Sequence, residues 1–261
     1  MWDKIKSTHL PEYGAEFLGT AIIIFLGLSV VVFVFGENSP LPASFSLRLI
    51  IVAVLFSAAN SLTVLSPLGK LSGGHFNPAV SFAFRLQDMM HDHDILGYII
   101  GQFLGAILGA GLLRLVWGSY AGTVGYGVTL PEMGLWAGFI AEMVMAIIIV
   151  FSVFMFVSHH RLLTWTPLMV WALIAVLIYF GAPFSGPSLN PARSFGPALI
   201  SWTWHSQWLY LVAPFLGAGL GVLAYRLVAF AEREIKTAKL FHVPHYRCIF
   251  KNTKVEHRKE W

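Results

Sequence analysis

Two stretches decide the fold: Ser72-Gly73-Gly74-His75-Phe76-Asn77-Pro78-Ala79-Val80 and Ser188-Leu189-Asn190-Pro191-Ala192-Arg193-Ser194-Phe195-Gly196. Each carries Asn-Pro-Ala ahead of a short apolar segment, Pro78 to Leu86 and Pro191 to Ile200. Proline fits the first turn of a helix, where its missing N–H would lack a partner anyway. Asparagine is a good N-cap. Each tripeptide therefore reads as the start of a helix, and each helix is too short to cross a bilayer, which takes about 20 apolar residues.

Longer apolar runs surround these two segments. They predict six membrane spans, near 13–35, 47–65, 95–117, 135–157, 165–180 and 207–230. The composition agrees: 57% of residues are hydrophobic and 11% charged, against about 25% charged in soluble domains. Mean hydropathy is +0.71. The first run is long and lacks a small-residue cleavage site, so it reads as a span rather than a signal peptide. The single cysteine, Cys248, excludes an intrachain disulfide framework.

The arrangement repeats. Ala15-Glu16-Phe17 is echoed by Ala141-Glu142-Met143, and Gly101-Gln102-Phe103-Leu104-Gly105-Ala106 by Ala213-Pro214-Phe215-Leu216-Gly217-Ala218. Five segments follow: an N-terminus (1–11), a three-span unit (12–118), a connecting loop (119–133), a second three-span unit (134–230) and a basic tail (231–261). Three spans per unit turn the second unit upside down in the membrane. The expected fold class is all-α: six transmembrane helices plus two re-entrant half-helices in an inverted repeat. Paired interrupted segments in matching positions mark a permeation or binding site.

Opposed half-helices bring two N-termini together at the midplane, each worth about +0.5 charge. The side-chain amides of Asn77 and Asn190 add donors there. Such a centre orients a neutral acceptor and opposes protons and cations. The stretches 69–76 and 181–189 are expected to be non-helical, with carbonyls tolerated at depth only beside a wet cavity.

The two motif stretches resemble the signature loops of the aquaporin, or major intrinsic protein, family, and the likeness extends over about residues 12–230. The resemblance implies a right-handed six-helix bundle, one pore per subunit and a homotetramer. It makes Arg193 the donor of an outer selectivity ring. It makes Glu16 and Glu142 the acceptors that shape the two loops, and gives His75 a hydrogen-bonding and pore-lining place. An ungapped match on the asparagines sets Ser57, Ile178 and Pro187 beside Arg193; a shift of one residue in span two brings in Phe56 instead. The histidine often found at this ring in water-selective members is absent, which suits a wider, less polar ring. Ser194 after the arginine, Ala198 and the short Ser201–Ser206 link favour the water branch, since glycerol-conducting members typically have Asp after the arginine.

Water is the expected permeant. Small neutral solutes (glycerol, urea, ammonia, hydrogen peroxide) are the alternative, and an ion-coupled transporter built on the glutamate pair is the third reading. No nucleophile–base set, metal-ligand spacing or phosphate loop points to an enzyme, and no cofactor is expected. Lys and Arg concentrate on one side of a six-span chain, including Lys70, Arg85 and Arg161, so both termini are expected to be cytoplasmic in a cell membrane. The tail holds eight of the 17 Lys and Arg and is expected to be solvated, with an anionic leaflet rather than nucleic acid as its partner. His91 to Asp94 reads as a solvated turn.

Overall fold

The computed structural model describes residues 8–228 and 234–255. Six helices among them are long and apolar enough to cross a membrane. In chain order the helices are α1 (Leu10–Phe35), α2 (Phe45–Leu65), α3 (Pro67–Ser72), α4 (Pro78–Leu86), α5 (Asp92–Trp117), α6 (Ser119–Gly122), α7 (Leu135–Val157), α8 (Thr166–Ser185), α9 (Pro191–Ser201) and α10 (Gln207–Val228). The fold is all-α, with α4 and α9 as the short segments between membrane-length helices.

The long helices are apolar on nearly every side because both faces are out of water. Leu104, Leu115 and Leu216 are exposed, as bilayer contact requires, while small residues line the inward faces. On α5, Gly101, Gly105 and Gly109 recur every fourth residue and lie against the carbonyls of Tyr13, Phe17 and Ala21 on α1. A Cβ at Gly101 would stand 2.9 Å from the Tyr13 carbonyl, and one at Gly105 would overlap that of Phe17. Apolar lipid supplies no hydrophobic drive between helices, so this close backbone approach is what packs them. The second half repeats the device: Gly217 and Gly221 of α10 face the carbonyls of Met143 and Ile147 on α7.

Several expectations need correction. The stretches 69–76 and 181–189 are helical over about their first half: α3 runs to Ser72 and α8 to Ser185. The irregular backbone shrinks to 73–76 and 186–189, which leaves fewer buried polar groups to satisfy. Helix α5 begins at Asp92, so the 91–94 stretch is not a free turn. Asp94 is 1% exposed and accepts from the Tyr13 hydroxyl and from His9 Nδ1, each at 2.6 Å, which joins the starts of α1 and α5.

The tail is not simply solvated. Within 234–255, Ile235, Ala238, Lys239, Leu240, Ile249 and Phe250 are buried. Lys236 N donates to Val157 O at 3.0 Å, Leu240 N to Gly73 O at 2.9 Å and Lys251 N to Met89 O at 2.9 Å. The Lys239 ammonium donates to Lys70 O at 2.7 Å and Arg247 O at 2.6 Å. Burial holds that ammonium below its ordinary pKa. Residues 229–233 and 256–261, including Arg233, Arg258 and Lys259, lie outside the described residues.

Candidate functional site: a path between two half-helices

Asn77 and Asn190 each sit in extended backbone (φ −153° and −145°) and cap the helix that follows. Asn77 Oδ1 accepts from Ala79 N at 2.9 Å, and Asn190 Oδ1 from Ala192 N at 3.0 Å. With the oxygen committed to the helix start, the amide nitrogen points away from it. Asn77 Nδ2 donates to Leu189 O, and Asn190 Nδ2 to Phe76 O, both at 2.8 Å. The loops are thus tied crosswise, and each NH2 keeps its second hydrogen. Pro78, Ala79, Pro191 and Ala192 form the buried first turns of α4 and α9.

The residue before each asparagine is strained. Phe76 has φ 47° and Leu189 φ 56°, a left-handed region where a bulky residue is an outlier. Buried carboxylates hold both in place. Glu16 Oε2 accepts from Phe76 N at 2.6 Å and Oε1 from His75 N at 3.1 Å. Ser72 Oγ at 2.6 Å and Gln102 Nε2 at 2.7 Å complete its shell. Glu142 does the same on the other side, accepting from Ser185 Oγ, Ser188 N and Leu189 N, each at 2.8 Å. Tyr98 and Tyr210 mirror one another as well, each hydroxyl donating at 2.5 Å to the carbonyl of the matching serine, Ser72 or Ser185.

A cavity of about 630 Å3 runs past both asparagines and reaches His75 and Leu240 at one end, Phe35 and Glu132 at the other. Phe56, Ile178, Pro187 and Arg193 share its wall. The Arg193 guanidinium donates to Gly127 O at 2.7 Å and lies 5.6 Å from the centre of the Phe56 ring. A buried cation held by one carbonyl and an aromatic face keeps further donors for a passing oxygen. Ser57 does not lie on this wall: it is fully buried, and its hydroxyl donates to Ala53 O at 2.6 Å within its own helix. The cavity wall therefore carries Phe56, one residue earlier.

His75 is 3% exposed, with Nδ1 at 3.1 Å from Ser81 Oγ and Nε2 at 2.8 Å from Ala238 O. Sequence reasoning missed Asn60 on the wall of α2, the Gly127 carbonyl that holds Arg193, and Leu240. An asparagine inside an apolar span was the one available signal for Asn60. The wall is otherwise mostly aliphatic, with polar groups concentrated at the asparagine pair and Arg193. That suits passage of a small neutral molecule that accepts hydrogen bonds at a few points.

The comparisons agree with this geometry. The family model described as Major intrinsic protein matches residues 3–225. The chain is 35% identical over 227 residues to Aquaporin-4 of Mus musculus, covering 85% of this chain and 68% of that protein. It is 34% identical over 233 residues to the probable aquaporin TIP2-2 of Oryza sativa subsp. japonica, covering 87% and 90%. In fold it is similar to the X-ray structure of the aquaglyceroporin from Plasmodium falciparum, with a TM-score of 0.70, 22% identity, and 85% and 98% of the two chains covered. The chain belongs to the major intrinsic protein family and is a membrane channel rather than an enzyme.

Proposed function

We propose that the channel conducts water down an osmotic gradient and excludes protons and ions. The observation that carries this reading is the crosswise pair, Asn77 Nδ2 on Leu189 O and Asn190 Nδ2 on Phe76 O. It fixes two helix N-termini and two spare amide hydrogens at one point of the path. A water there turns its oxygen to the amides and its hydrogens outward, which interrupts a proton-conducting chain. The meeting helix ends raise the potential against cations. Arg193 with Phe56, Ile178 and Pro187 acts as the selectivity ring, and Glu16, Glu142 and His75 support the loops. Both termini face the cytoplasm, and the assembled form is a homotetramer in lipid with one path per subunit; the Lys and Arg distribution supports the first and family membership the second.

Ile178 and Pro187 favour a second reading. Both offer apolar surface opposite the arginine, which accommodates the carbon edge of a small solute such as glycerol. Stopped-flow light scattering separates the two. Proteoliposomes shocked with sucrose should shrink faster than empty lipid. With glycerol as osmolyte, water selectivity gives shrinkage without rapid reswelling, whereas solute conduction gives prompt reswelling. Shrinkage no faster than that of empty lipid overturns both readings.

A further inference from the structure

At the end of the bundle that carries the termini, the C-terminal segment contributes to the wall of the path. Of the described terminal residues, Leu240 reaches the cavity wall, beside His75. It is 4% exposed, and its N–H is bonded to the carbonyl of Gly73 in the first irregular loop. Two residues earlier, the carbonyl of Ala238 occupies His75 Nε2. Phe250 stacks on the same imidazole, with ring centres 5.4 Å apart. Both nitrogens of the one titratable ring on this part of the wall are therefore engaged by protein.

The contacts also strap the segment across the mouth. It bonds to the end of α7 at Val157 O, to α3 at Lys70 O, to the α4–α5 turn at Met89 O and to α1, where Arg247 Nε lies 3.8 Å from Glu12 Oε1. Glu12 is wholly buried, and its carboxyl oxygens accept no hydrogen bond from the described residues, so Arg247 of the tail supplies compensation.

We infer that residues 234–255 form an intramolecular plug that seats Leu240 in the mouth and holds flux through the terminal face well below that of the open path. This inference rests on the water-channel reading. A buried leucine seated at the mouth narrows the way for a single file of water, so the segment must lift for full flux. Its fastening suits lifting. Lys251 pairs with exposed Asp88 at the rim, where ion pairs are screened and add little, and Arg247 reaches buried Glu12 only at 3.8 Å. Arg247 is the more open of the two, at 60% side-chain exposure against 31% for Lys251. Lys239 is the exception: its ammonium is sealed between two carbonyls and is the pin that a substitution should pull.

The test uses the full-length chain in proteoliposomes. Wild type, Lys239→Ala and Leu240→Ala are compared for osmotic water permeability per channel and for hydrogen exchange across 234–255. Lys239→Ala should speed exchange at Leu240 N and Lys251 N and raise permeability several-fold. Leu240→Ala should leave those amides protected and still raise permeability, because it clears the mouth without releasing the strap. Faster exchange in Lys239→Ala with unchanged permeability overturns the plug, and so does unchanged permeability in Leu240→Ala. If all three proteins leave vesicles no leakier than lipid alone, the water-channel reading fails and the plug falls with it.

Discussion

Replacing Glu16 with alanine tests how the first half-helix is held. The carboxylate accepts from Ser72 Oγ, His75 N, Phe76 N and Gln102 Nε2. The two side-chain donors can turn toward other acceptors; Gln102 Nε2 already reaches Ser81 Oγ at 3.0 Å. The two backbone amides cannot turn, and Phe76 lies in a left-handed conformation that only its fixed neighbours sustain. A buried donor left without a partner costs about 1–3 kcal/mol, so Glu16→Ala should lose about 2–6 kcal/mol. Glu16→Gln keeps one acceptor oxygen and orphans one backbone amide, for about 1–3 kcal/mol. Denaturant titration in detergent, followed by tryptophan fluorescence, should rank wild type above Gln and Gln above Ala. Water permeability should fall in the same order. Loss of less than about 1 kcal/mol in Glu16→Ala would refute the claim that the carboxylate carries the loop. Equal damage from Gln and Ala would show that charge, not acceptor count, is what matters.

Three further outcomes follow from the site. Phe56→Ala should raise glycerol permeability in the reswelling assay, since it removes the ring that packs against Arg193, while Ser57→Ala should leave it unchanged. Asn77→Leu and Asn190→Leu each remove an N-cap, worth about 0.5–2 kcal/mol, and strand the opposite loop's carbonyl; both should cut water flux sharply in stopped-flow measurements. Gly105→Val sets a side chain on the Phe17 carbonyl and should cost about 1–3 kcal/mol by forcing α1 and α5 apart, read as a lower detergent melting temperature.

What the sequence revealed was periodic or repeated. Helix α7 and the short helix α4 fall where the apolar pattern sets them, Leu135–Val157 and Pro78–Leu86. The matched Glu16 and Glu142 were legible because a charge inside an apolar run is conspicuous and its repeat more so. What stayed hidden depends on backbone carbonyls, which every residue possesses. Gly127 O holds Arg193 and Ala238 O holds His75, and nothing in the identity of Gly127 or Ala238 marks either contact. The Ser57 and Phe56 ambiguity has another cause. One residue turns a helix by about 100°, and no motif fixes the rotation of α2 against the loops. In the structure Phe56 lines the cavity, while the Ser57 hydroxyl is satisfied inside its own helix. The tail misled because its charge density resembles that of a solvated segment, whereas its apolar residues, Ile235, Leu240, Ile249 and Phe250, are spaced to pack across a surface.

The two irregular loops hold each other. Phe76 has its N–H on Glu16 and its carbonyl under Asn190; Leu189 has its N–H on Glu142 and its carbonyl under Asn77. Each strained residue is therefore gripped on one side by its own half of the chain and on the other by the opposite half. Neither loop has a complete set of partners until both are seated, so the halves should open as one cooperative unit. Glu16→Ala provides the test at a distance. Its direct contacts all lie in the first half, yet releasing Phe76 withdraws the acceptor of Asn190 Nδ2 and loosens the second cap. Hydrogen exchange should accelerate at Ala192 N and Leu189 N as well as at His75 N and Phe76 N. Acceleration confined to the first loop would mean that the crosswise bonds bridge two independent structures rather than making one.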